Sequence, residues 1–249
     1  MSASLSIEHV SKSFGGLHAI RDVTLRFDAG SLSAVIGPNG AGKTTLFNIV
    51  TGHVRPDGGT ITLGETALVG RKPTDIVRLG VGRAFQVASL FPTFTVAEAL
   101  AAAILSRKRA LFDLWRPFPT AEARDGASQV MEATGLVPAA GRLCSTLSHG
   151  DRKLLDIAMA LALQPKVLLL DEPTAGMGRE ESRRMIDRIH RLWQRARITL
   201  IFIEHDMDIV FSIAQSVRVL RYGAVLAEGT PQEIRTHSQV IEAYLGSES

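Results

Sequence analysis

One cysteine, Cys144, stands in a chain of 249 residues. A lone thiol closes no internal disulfide, which excludes a small disulfide-stapled scaffold and fits a reducing cytosol. The residue is expected in or near the core. A charge excess is also missing. The formal net charge is +3, and the lysines and arginines are scattered rather than gathered in a stripe, which argues against a dedicated nucleic-acid binder. The one basic run, Arg107-Lys108-Arg109, is short and reads as a solvated face, with anionic lipid or a partner as the alternative. Residues 1–8 lack the apolar run of a signal peptide. The apolar stretches at 167–170 and 198–203 fall short of the about 20 residues that cross a bilayer. A role at a membrane is therefore expected to be peripheral. There is neither an internal repeat nor a low-complexity tract.

What is present is apolar material for a full core: 45% of the residues are hydrophobic. The length suits one large α/β domain, alone or with a small helical partner. Short strands are expected between Leu5 and Ile36, with Val23, Leu25 and Phe27 alternating with polar residues and Ala29-Gly30 turning into a strand at 32–36. A helix follows from about Lys43 to Thr51, then a turn at Asp57-Gly58-Gly59 and a strand at 60–63. Residues 95–141 change character: Ala-rich, charged and helically spaced, with Pro117 and Pro119 interrupting. A long amphipathic helix is expected from Ser148 to about Leu163. Next come a strand at 167–170, a helix around 180–195, a strand at 199–203 and a hairpin at 217–228 turning at Tyr222-Gly223. The last helix opens at Thr230-Pro231-Gln232-Glu233, a capping box with proline at the first helical position. Strands alternating with helices imply a mostly parallel sheet, and the early hairpins an antiparallel flank.

The run Gly37, Pro38, Asn39, Gly40, Ala41, Gly42, Lys43, Thr44, followed by Thr45, matches G-x-x-x-x-G-K-[ST] between an expected strand and an expected helix. Glycines let the backbone curl so that successive N–H groups face a phosphate. The helix N-terminus adds its positive dipole end. Lys43 supplies a mobile charge to the β- and γ-phosphates, and Thr44 offers a hydroxyl to Mg²⁺. The apolar strand at 167–170 ends in Asp171-Glu172. Two carboxylates leaving a buried strand are costly without a cation or a proton. Asp171 is read as a Mg²⁺ partner through water and Glu172 as the general base. Alone, the pair would read better as a turn cap; the upstream cradle reverses that in favour of chemistry.

Four further features pick a family. Leu147-Ser148-His149-Gly150-Asp151 opens a helix before the acidic strand, Gln86 follows an apolar strand, His205 follows the strand at 199–203, and Phe14 precedes the cradle. Singly, these are an N-cap, a polar loop residue, a structural histidine and a core aromatic. As an ordered set over essentially the whole chain they resemble an ABC transporter nucleotide-binding domain: an α/β P-loop core with a mostly parallel sheet, an antiparallel β flank and an inserted helical subdomain. The resemblance implies a single domain over 1–249, with 1–94 and 165–249 forming the RecA-like core and 95–164 the helical subdomain. It also implies that Phe14 stacks on adenine, that Ser148, His149 and Gly150 meet the γ-phosphate of a second subunit, that Gln86 touches Mg²⁺ and the attacking water, and that His205 works with Glu172.

Arg83-Ala-Phe-Gln86, Leu90-Phe91-Pro92, Thr95-Val96, Glu172-Pro-Thr-Ala-Gly-Met177, the insert around 107–124 and the ending Ile241-Glu-Ala-Tyr-Leu-Gly246 are similar to the ATPases of branched-chain amino acid importers. Urea importer ATPases share several of these features, so they stand as the alternative, with a soluble non-transport ABC protein behind them. The resemblance implies ATP and Mg²⁺ as cofactors and a head-to-tail dimer with an identical or paralogous ATPase subunit. It further implies membrane permeases, an indirect extracytoplasmic solute-binding protein, and a peripheral place on the cytoplasmic face of the membrane. His149, Asp151 and the Ala175-Gly176-Met177-Gly178 loop depart from the family's usual LSGGQ and aspartate-bearing patterns. The apolar stretch from Val87 to Phe94 is expected partly to close the subdomain junction and partly to line a permease groove.

Overall fold

A computed structural model describes residues 2–84, 91–107 and 118–245. Gln86 and Leu90, singled out above, lie outside the described residues. Strands β1 (Leu5–Phe14) and β2 (Leu17–Phe27) form an antiparallel hairpin. It is extended by β4 (Gly58–Leu63) and β5 (Thr66–Ala67) into a four-stranded sheet of order β2-β1-β4-β5. Val23, Leu25 and Phe27 are buried between exposed neighbours, as period-two alternation dictates for a sheet with one covered face.

The second sheet is the platform. Its six strands run in the order β10-β9-β3-β8-β7-β6, with β3 (Leu32–Ile36), β6 (Val81–Ala84), β7 (Val167–Asp171), β8 (Thr199–Ile203), β9 (Ser216–Arg221) and β10 (Ala224–Gly229). β9, β3, β8, β7 and β6 are parallel, and β10 is antiparallel at the edge. The continuous apolar runs of β7 and β8 follow from burial on both faces. Leu168, Leu170, Leu200 and Phe202 join one core cluster, while Val167, Leu169, Ile201 and Ile203 join the other. The first cluster includes α3 (Val96–Arg107), α4 (Ala121–Thr134), α5 (His149–Ala162) and α6 (Arg179–Ala196); the second includes α1 (Lys43–Val50) and the antiparallel sheet. Cys144 is buried in the first, and burial pushes its thiol pKa up.

The fold expectation holds, with local differences. The helix opened by the capping box, α8 (Pro231–Thr236), stops after two turns, and a further helix, α9 (Ser238–Leu245), follows His237. The hairpin spans 216–229, one residue wider at each end than its apolar pattern suggested. Two seven-residue helices, α2 (Pro73–Leu79) and α7 (Met207–Ile213), are too short for a helical period to declare itself. Among the described residues no helix is long and apolar enough to cross a membrane. The carboxyl ends of β3, β8 and β7 lie side by side, with β9 on the other flank of β3. That is where open α/β sheets place their ligands.

Candidate nucleotide site

The turn from β3 into α1 is built on glycines that no other residue could replace. Gly37 holds φ +148, and a Cβ there would come within 2.1 Å of the Leu220 carbonyl oxygen. Gly42 holds φ +102, with the Ala19 carbonyl oxygen 2.6 Å from where its Cβ would stand. Gly42 is also the N-cap of α1 and brings no side chain to its first N–H groups, which leaves them available to an anion. Lys43 is buried, and its Nζ donates to the carbonyls of Gly37 at 2.7 Å and Pro38 at 3.0 Å. Burial lowers its pKa, opposed by the charges of Glu172 and Asp171. Asn39, Gly40 and Thr44 are exposed, Thr45 is half-buried and Ala41 is buried. All line one cleft of about 390 Å³, into which Glu172 and His205 also reach.

At the end of β7, Asp171 Oδ2 accepts a hydrogen bond from Arg83 Nη2 at 2.6 Å. Arg83 sits buried on β6, and its Nη1 donates to Asn48 Oδ1 on α1 at 2.7 Å. A single guanidinium therefore ties the end of β7 to the helix that follows the cradle, one Nη donating to each partner, a bridge that suits arginine's rigid fork. Glu172 holds φ +49, the left-handed region. Its N–H donates to the Ile203 carbonyl at 3.0 Å, and its Oε1 lies 2.7 Å from His205 Nε2. Glu204 is buried; it accepts from Thr174 N at 2.9 Å and Thr174 Oγ1 at 2.7 Å, while its other oxygen accepts from His205 N at 3.2 Å. This carboxylate fastens the loop after Glu172 to the loop that carries His205.

Phe14 lies at the far side of the cleft, 49% exposed although it ends a strand. Lys12 Nζ stands 5.4 Å from its ring centroid. Tyr222 shares this cleft at 71% exposure. Its turn is pinned by Gly223, whose N–H donates to the Ala41 carbonyl and whose carbonyl accepts from Arg21 N. Arg83, Glu204 and Tyr222 were not singled out as site residues from sequence. Arg83 is signalled only by a charge in an otherwise apolar strand, Glu204 by an acid directly after one, and Tyr222 reads simply as a turn.

The signature segment lies elsewhere. Ser148 is the N-cap of α5, its Oγ accepting from Asp151 N at 3.1 Å. His149 Nε2 is 3.0 Å from the Ala175 carbonyl oxygen. Gly150 is buried, with Glu181 Oε1 2.3 Å from where a Cβ would stand. None of the three lines the cleft around the cradle. Lys153, one turn further along α5, donates to the Glu172 carbonyl. Burial lowers its pKa, opposed chiefly by Glu204 and then Glu172.

A phosphate cradle between a parallel strand and a helix, with acids on a neighbouring strand end, defines a P-loop nucleotide-binding protein. The profile of the ABC transporter family matches residues 20–175, and one described as branched-chain amino acid ATP-binding cassette transporter matches residues 224–249. The high-affinity branched-chain amino acid transport ATP-binding protein LivG of Salmonella typhimurium is 41% identical over 248 residues, covering 97% of both chains. BraF of Pseudomonas aeruginosa, a protein of the same description, is 38% identical over 249 residues, again covering 97% of both. Among solved structures, the ADP conformation of MJ1267, an ATP-binding cassette of an ABC transporter, superposes with a TM-score of 0.85 at 27% identity, covering 99% of this chain and 100% of that one. A nucleotide-free ATP-binding cassette from an ABC transporter gives 0.85 at 28% identity, covering 97% and 98%. The chain belongs to the ABC transporter family, as an ATP-binding and ATP-hydrolysing subunit.

Proposed function

We propose that this chain powers an importer of branched-chain or related hydrophobic amino acids by hydrolysing ATP in the cleft around Lys43. The observation that carries the chemistry is the Glu172–His205 contact at 2.7 Å beside the cradle. Glu172 accepts the proton of the attacking water, and His205 holds that carboxylate toward the cleft. Lys43 and the N–H groups of 39–45 hold the phosphates, and Phe14, in the same cleft as Tyr222, offers a ring to the adenine. Among the described residues no group of three or more His, Cys, Asp or Glu could hold a metal. Mg²⁺ keeps several waters and leans on substrate phosphates with one or two protein oxygens. Thr44 and Asp171 are the oxygens on hand. When bound, the ion neutralises charge developing on the phosphates.

The signature residues lie outside their own subunit's cleft, which supports a head-to-tail dimer in which Ser148, His149 and Gly150 serve the ATP of an identical or paralogous partner. In this reading 1–94 and 165–249 form the ATPase core and 95–164 a helical subdomain. A cavity of about 530 Å³ between them, lined in part by Phe91, Phe94 and Phe118, is the groove for the cytoplasmic end of a permease. The chain then sits peripherally on the cytoplasmic face, with a solute-binding protein beyond the permeases. The cargo rests on the relatives' described transport, which favours amino acids over urea. The test is complementation: in a strain lacking LivG, the chain should restore labelled leucine uptake and Glu172→Gln should not. Uptake restored only for urea, in a strain lacking the urea importer's ATPase, would move the cargo to the alternative.

A further inference from the structure

Two segments depart from the usual family pattern, the signature at His149 and the loop 175–178, and in the fold they meet. His149 Nε2 lies 3.0 Å from the Ala175 carbonyl oxygen, to which the imidazole donates as its Nε2–H tautomer. Gly176 holds φ +81, and a Cβ there would stand 3.2 Å from His149 Nε2. The glycine thus leaves the space that the ring takes up. One turn further along α5, on the same helix face, Lys153 donates to the Glu172 carbonyl. One face of the signature helix therefore holds the two carbonyls that bracket Pro173-Thr174. Thr174 between them is held by the buried Glu204 through both its N–H and its hydroxyl. A glycine at position 149 would leave the far end of this bracket open.

The geometry points to His149 as a positioning residue that latches the signature helix to the 172–178 loop of its own subunit. For its functional consequence this rests on the two-subunit reading above. A shift of α5 as the signature engages the partner's ATP is carried by the latch to the backbone of Glu172, which serves the subunit's own ATP. His149 and the glycine at 176 that makes room for its ring are then a matched pair that couples the two sites.

The test compares His149→Phe, which keeps a ring but loses the N–H, with His149→Gln, which keeps an N–H donor of similar reach. Hydrogen exchange on the nucleotide-free full chain reads the latch without any dimer, because the N–H groups of Ala175 and Met177 are bonded within the loop at 3.2 and 3.1 Å. His149→Phe should accelerate their exchange about fivefold, the weight of one net hydrogen bond, and His149→Gln should restore protection. The Hill coefficient of ATP hydrolysis should fall toward one in His149→Phe and recover in His149→Gln. Unchanged exchange in His149→Phe, or equal acceleration in both variants, overturns the latch. Faster exchange with an unaltered Hill coefficient overturns the coupling. If the wild type shows no ATP-driven association while exchange responds as described, the two-subunit reading fails and the latch stands.

Discussion

Glu172 occupies a backbone conformation that disfavours any residue but glycine, at a cost of roughly 1–2 kcal/mol, with φ +49. The cost is offset locally: its N–H bonds Ile203, its carbonyl bonds Lys153, and its carboxylate meets His205. These contacts hold the carboxylate at the cleft rather than along the strand axis. Glu172→Gln preserves size and most hydrogen bonding but cannot take a proton. Its turnover in a phosphate-release assay should fall about 10²–10⁴-fold, while a fluorescent nucleotide still titrates the cradle. Turnover within a factor of a few of the wild type would remove Glu172 from the role. Arg83 acts by position. Removing one partner of a buried ion pair typically costs about 3–5 kcal/mol because the other charge is left uncompensated, so loss of Arg83 would destabilise the chain as well as release the Asp171 carboxylate it orients.

The C-terminal helices show how an element distant in sequence supports the site. α8 starts on a capping box and ends where the chain turns extended at His237, so α9 returns toward the sheet. Tyr244 on α9 reaches the start of the cradle, where burial pushes its phenol up to about 12, opposed by the Gly37 N–H. The sign follows directly. Between the ordinary value of 10.0 and about 12 the unfolded chain has lost the phenol proton and the folded chain has kept it. Fewer protons are then bound in the unfolded state, and stability falls as pH rises through that window. Tyr244→Phe removes this dependence. Urea denaturation at about pH 8 and about pH 11 should show the variant gaining on the wild type at the higher value, against the background of other titrating groups common to both. An equal difference at both pH values would mean that the phenol is solvated.

At the scale of the molecule, Ser148, His149 and Gly150 do not line the cleft around Lys43, and the proposed head-to-tail dimer would pair each cleft with the partner's signature helix. Lys43→Ala removes the cradle's cation, and Ser148→Arg blocks the signature helix N-terminus. Each homodimer should be inactive. A mixture of the two should recover hydrolysis in mixed dimers, where one site pairs an intact Lys43 with an intact Ser148. Size exclusion with ATP confirms that mixed dimers form; if they form without recovering activity, either the head-to-tail sharing of sites or turnover at a single intact site is wrong for this chain.

What the sequence determined by itself was whatever is encoded over short distances. The cradle from Gly37 to Thr44 is a contiguous set whose glycines and lysine have one joint use. The strands at 32–36, 167–171 and 199–203 show in their apolar runs because both faces of the platform are covered. The capping box at Thr230 and Glu233 lies within one helical turn. Tertiary structure decided whatever depends on which strand lies beside which. The order β3-β8-β7 brings His205 to Glu172 across 33 positions, and β6 beside β7 brings Arg83 to Asp171 across 88. The turn at Tyr222 reaches the cleft only because Gly223 bonds Ala41 and Arg21. His149 meets Ala175 only because α5 packs alongside the end of β7. Local spacing carries no information on such pairings, because burial and hydrogen bonding between distant segments are satisfied jointly, once the whole sheet has formed.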